Sequence, residues 1–143
     1  MLPEAVPVKG RYRRVVVHGD TAYVTGATPV LTNPLRVGYV GEVGTDLTLD
    51  EAREGARTTL LGIIASLAEE LGDVDRIERF LHIGGYVRTA PGFWRVSQVL
   101  AGASGLIAEL FGDDGLTART AVGVAELPHG TSIMIDAIVA IRA

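Results

Sequence analysis

The chain has 143 residues, 48% of them apolar and 21% charged, with a formal net charge of −4 at pH 7. That is enough apolar material for one domain, residues 1–143, with a buried core, and too much for a disordered chain. The acidic balance excludes a basic nucleic-acid footprint, and the absence of cysteine excludes disulfides and thiolate chemistry.

Residues 1–9 are Pro-rich and read as extended, with Pro3, Glu4, Pro7 and Lys9 interrupting any signal-peptide core. No apolar run reaches the roughly 20 residues of a membrane span. The expectation is a cytoplasmic protein with no membrane partner. Arg11 to His18 and Thr21 to Thr25 read as two strands, and Gly19-Asp20 between them is a hairpin turn pair. Gly26 ends the second strand, a loop runs through Asn33-Pro34, and a short extended segment is expected between Gly38 and Gly44.

Thr48-Leu-Asp-Glu51 is a capping box, in which hydroxyl and carboxylate each satisfy a backbone N–H that the helix leaves unpaired. The helix that follows carries Ala52, Ala56, Leu60, Ile63, Leu67 and Leu71 on one stripe and stops at Gly72. Asp73-Val-Asp75 is a turn, and Arg76 to Val87 reads as a long strand with a bulge at Gly84-Gly85. Thr89-Ala-Pro91 opens a second helical region whose inner side holds Phe93, Val96, Val99, Leu100, Ala103, Ile107 and Leu110. Gly102 and Gly105 predict a kink or break in it, since an interior glycine costs about 1 kcal/mol relative to alanine. Gly112-Asp-Asp-Gly115 ends this region.

Thr117 to Ile141 reads as two strands joined by a tight turn at Pro128-His-Gly130. Ile133, Ile135, Ala137, Val139 and Ile141 share one face of the second arm. Strands outnumber helices and no βαβ series repeats, so the class is α+β: a mainly antiparallel sheet with two helical regions on one face. Met134, Ile138 and Ala140 make the other face apolar, which predicts a homo-oligomer that closes it.

Arg119 opens an otherwise almost uncharged strand. Its guanidinium stays protonated and its fork of donors matches a carboxylate or phosphate. The counter-charge comes either from the protein, with Asp136 or a neighbouring subunit as the source, or from a ligand. His18, His82 and His129 share no metal-ligand spacing.

Gly10-Arg-Tyr12, Ala22-Tyr-Val-Thr25-Gly26, Ala118-Arg119-Thr-Ala-Val122-Gly-Val124, Leu127-Pro128 and the closing Ile-Met-Ile-Asp-Ala strand resemble the reactive intermediate deaminase family. It is also called RidA or YjgF, with the older label endoribonuclease L-PSP. Gly102-Ala-Ser104 and Phe93 are similar to a longer-helix subgroup. The resemblance implies a chorismate-mutase-like fold and a homotrimer with a central barrel and clefts between subunits. It also implies hydrolysis of enamine or imine acids to 2-oxo acids and ammonia without metal or organic cofactor.

Carried over by residue, the resemblance makes Arg119 the carboxylate clamp and puts Tyr12, Thr25, Gly26 and Ala121 in the cleft. The bland readings are strand-edge packing for Tyr12 and a strand-end hydroxyl for Thr25. Phe93 and Trp94 either pack the helix or wall the cleft. Two positions depart from the family pattern. Met134 stands where a water-positioning glutamate is usual, and Ala101 where an asparagine commonly faces the cleft. A thioether cannot take a proton from water. Catalysis is therefore expected to be weakened or rerouted, with Asp136 as a substitute base, or replaced by carboxylate binding alone. Ribonuclease activity fits an acidic chain with one lysine least well.

Overall fold

A computed structural model describes residues 2–5 and 8–143. The extended segment expected over 1–9 falls partly on Met1, Val6 and Pro7, outside the described residues, and the rest of it has no regular secondary structure. Strand β1 (Val15–His18) turns through Gly19, at φ 63°, into β2 (Thr21–Ala27). The first strand is shorter than expected because residues 10–14 form bends. Gly26 lies inside β2 and does not end it. The following loop carries a small separate hairpin of β3 (Val30–Leu31) and β4 (Arg36–Val37). Between residues 38 and 44 only isolated bridges form, at Val40 and Val43.

Helix α1 (Leu49–Leu71) starts and stops where its signals stand. The Glu51 N–H donates to Thr48 Oγ1 and the Thr48 N–H donates to Glu51 Oε1, each at 3.1 Å. Gly72 closes the helix at φ 82°, a conformation that glycine adopts without a Cβ clash. Strand β5 (Ile77–Arg88) follows, then helix α2 (Val96–Phe111), β6 (Ala118–Val124) and β7 (Ile133–Ile141).

Three expectations are corrected here. Helix α2 begins at Val96, well after Pro91, and runs unbroken through Gly102 and Gly105. Gly102 is there for packing: a Cβ on it would stand 1.9 Å from the Arg53 carbonyl oxygen of α1. The β5 register shifts between Ile77 and Arg79 and between Phe80 and His82, not at the glycine pair. Gly84 and Gly85 instead mark close approaches on opposite faces, where added Cβ atoms would meet the Asp136 carboxylate and the Leu100 side chain respectively.

The third correction concerns the last two strands, which do not pair with each other. The five-stranded sheet has the order β1-β2-β7-β5-β6, so β5 lies between them. β6 runs parallel to β5, with α2 in the crossover, and β7 runs antiparallel to it. The eight residues 125–132 step across β5, pinned by Arg88, which donates from Nη1 to the Gly130 carbonyl at 3.1 Å. Pro128 and Gly130 do shape a turn, but it is a crossing and not a hairpin tip.

The α+β expectation holds. The alternate β7 residues Ile133, Ile135, Ala137, Val139 and Ile141 are buried in one core with the inner residues of α1 and α2. Met134, Asp136, Ile138 and Ala140 point the other way and are only half-buried, since the chain puts no helix there.

Candidate functional site

Cross-strand register sets Arg119 level with Ile83, Ala137, Val24 and Val15. Those four are all buried on the helix side of the sheet. Arg119 ends this apolar row because β6 is an edge strand, and its side chain turns to α2. Nη1 donates to Ser104 Oγ at 3.0 Å and Nη2 to Ser97 Oγ at 2.5 Å. No acid approaches within salt-bridge distance of Arg119 among the described residues. Asp136, weighed as its counter-charge, is on the opposite face of the sheet. There it accepts from the Gly84 N–H and from the Tyr86 hydroxyl, each at 3.1 Å. That bond, then the carboxylate charge, then burial, hold the Tyr86 phenol above its ordinary value.

Ala121 shares the helix side with Arg119 and packs against the core. Ala101 lies one turn from each serine on the same stripe of α2. The guanidinium, bonded to both hydroxyls, therefore spans its methyl group. Phe93 packs against the core, takes Arg95 Cζ at 5.5 Å from its ring centre, and lines a cleft of about 540 Å³ between residues 44–49 and 90–95. The lining of that cleft does not include Arg119. Trp94 is 77% exposed.

The other predicted residues gather elsewhere. Between Val24 and Ala27 the β2 register shifts, so Thr25 and Gly26 together oppose Asp136 in a bulge. The Met134 thioether lies against Gly26, where a Cβ would be 2.7 Å from Sδ. Tyr12 precedes β1 at the far sheet edge and is 59% exposed. The site residues thus form two groups. Arg119, Ala121 and Ala101 sit at the β6 edge on the helix side; on the open side, Met134 of β7 sits about two strand spacings (roughly 10 Å) away and Thr25 and Gly26 of β2 about three (roughly 14 Å).

The sequence does not single out Ser97 as a partner of Arg119, and Ser104 stands out in it only as a subgroup marker. The available signal was their seven-residue spacing, which puts two hydroxyls on one helix stripe either side of Ala101.

Residues 1–138 match the family model described as YjgF/chorismate mutase-like, a description that also names an endoribonuclease. The chain belongs to the YjgF/RidA family. Its fold is accordingly the chorismate-mutase-like one expected. Protein TCP17 of Trypanosoma cruzi is 36% identical over 139 residues, covering 96% of this chain and 86% of that protein. The crystal structure of Atu1372 from Agrobacterium tumefaciens, a protein of unknown function, superposes with a TM-score of 0.90 at 35% identity. That match covers 99% of this chain and 86% of the other. The structure of TdcF from E. coli with bound serine shares the fold, at a TM-score of 0.60 and 19% identity over 99% of this chain and 94% of that one.

Proposed function

We propose that this YjgF/RidA protein binds a small 2-imino or 2-enamino acid, or a related carboxylate, at Arg119 and hydrolyses it. The carrying observation is the state of Arg119, whose guanidinium is held by two neutral hydroxyls with no acid beside it. A charge kept without a partner at an accessible edge suits a ligand carboxylate, which the fork of donors can take in two parallel bonds. Water then adds to the imine carbon and ammonia leaves, giving the 2-oxo acid. The serine bound to TdcF is a ligand of the same chemistry, a small amino acid with one carboxylate.

The two groups of site residues lie on opposite faces of one sheet, so one copy does not close a cleft around a small ligand. A second copy bringing its Thr25, Gly26 and Met134 edge against the first copy's Arg119 would do so. The half-buried open face, with Val16, Tyr23 and Val122 exposed, supports such an assembly, a homotrimer on the family resemblance. Ribonuclease action has little support in a chain with a net charge of −4.

One observation favours a second reading, binding without turnover. Met134 covers Gly26 with a thioether, and both Asp136 oxygens already accept hydrogen bonds. Neither is a ready base. Ammonia release from freshly generated iminopropionate separates the two, with wild type, Arg119→Ala and Met134→Glu compared. Hydrolysis by wild type that falls at least about tenfold in Arg119→Ala is expected, as losing a charge-assisted carboxylate pair costs ~1.5–3 kcal/mol. No acceleration by wild type, with activity gained in Met134→Glu, would leave the binding reading.

A further inference from the structure

We infer that Ser97 and Ser104 are positioning residues that set the guanidinium of Arg119 for its ligand; this rests on the carboxylate reading above. The two serines are seven residues apart on α2, about 10.5 Å along the helix axis. One η nitrogen bonds to each, so the guanidinium lies along the helix with a hydroxyl at either end. A half-buried arginine on an edge strand otherwise samples several rotamers, and fixing it costs binding energy each time a ligand arrives. The serines make that ordering part of the fold. Being neutral, they leave the positive charge uncompensated, which an aspartate or glutamate in the same place would not.

The donor count supports the assignment. A guanidinium has five N–H groups, and the two serine bonds use two of them. The remaining three are enough for a bidentate carboxylate. Each serine oxygen accepts from Arg119 and keeps its own hydrogen, which Ser97 and Ser104 donate to no other described group. Ala101, between the serines, leaves the span open; a longer polar side chain there would compete with the guanidinium for both hydroxyls. The combination of one unpaired cation, two hydroxyls and an alanine floor suits a monoanionic carboxylate with a small apolar remainder.

The test is calorimetric titration of the full chain with 2-oxobutyrate, an unreactive 2-oxo acid. Ser97→Ala and Ser104→Ala should each weaken binding about fivefold and the double variant about thirtyfold, which is ~2 kcal/mol, the rotamer freedom of one arginine. Ser104→Thr, which keeps the hydroxyl, should restore wild-type affinity. In an Arg119→Ala background the serine substitutions should change nothing further, because their effect passes through that guanidinium. Serine variants that bind as wild type while Arg119→Ala does not would overturn the positioning role and leave the carboxylate reading standing. Unchanged binding in Arg119→Ala would overturn both. Serine effects that persist undiminished without Arg119 would also overturn the positioning role.

Discussion

Tyr86 and Asp136 show how single residues on the open face are fixed. The Tyr86 hydroxyl donates to Asp136 Oδ2 at 3.1 Å, and the Gly84 N–H holds the other oxygen. The phenol's pKa lies above its ordinary 10.0, through that bond first, the carboxylate's charge second and burial third. The bond therefore contributes stability that is complete below pH 10 and is lost as pH rises through the raised folded value. The chain has four tyrosines. Absorbance titration should show one of them ionising last, and Tyr86→Phe should remove that step; a titration unchanged by the substitution would contradict the bond. Arg119 itself was legible from its place in an apolar strand. Its serine partners were not, because they lie 15 and 22 residues away on another element and no local periodicity connects them.

At the scale of elements, close approach of the two helices explains why α2 is not broken. Gly102 lets the Arg53 carbonyl of α1 come where a side chain would stand. Arg57 and Glu109 bridge the same helix pair with two bonds of 3.1 Å. Gly102→Ala removes an entropic cost within α2 but must push the helices apart, so the variant should be ~2–3 kcal/mol less stable. Thermal unfolding should show this as a melting point lower by about 5–10 °C, whereas an unchanged or raised one would mean that the helices yield freely. Helix α1 was fully legible because its capping box, stripe and terminal glycine are local signals. The pairing of β6 and β7 was not, since a turn between two strands does not say whether a third lies between them. The parallel β5–β6 pair depends on α2 packing against the same sheet, which is a tertiary fact.

For the whole molecule, the proposed site is divided between two faces of one sheet. A helix layer covers one side of the sheet and leaves Met134, Ile138, Ala140 and Tyr23 on the other. Arg119 is at one edge and the Gly26 bulge three strands away. If a complete site draws on two copies, variants damaged in different halves should repair each other. Arg119→Ala removes the proposed carboxylate clamp. Gly26→Leu fills the bulge, where the neighbouring Met134 side chain can move aside and no positive φ forbids a side chain. Each variant alone should bind 2-oxobutyrate at least about tenfold more weakly than wild type. Unfolded together in equal amounts and refolded, they should regain binding at about a quarter of the sites, those pairing one variant's Arg119 with the other's Gly26. A mixture that binds no better than its separate components, from variants that fold and assemble as wild type does, would contradict a carboxylate site shared between copies.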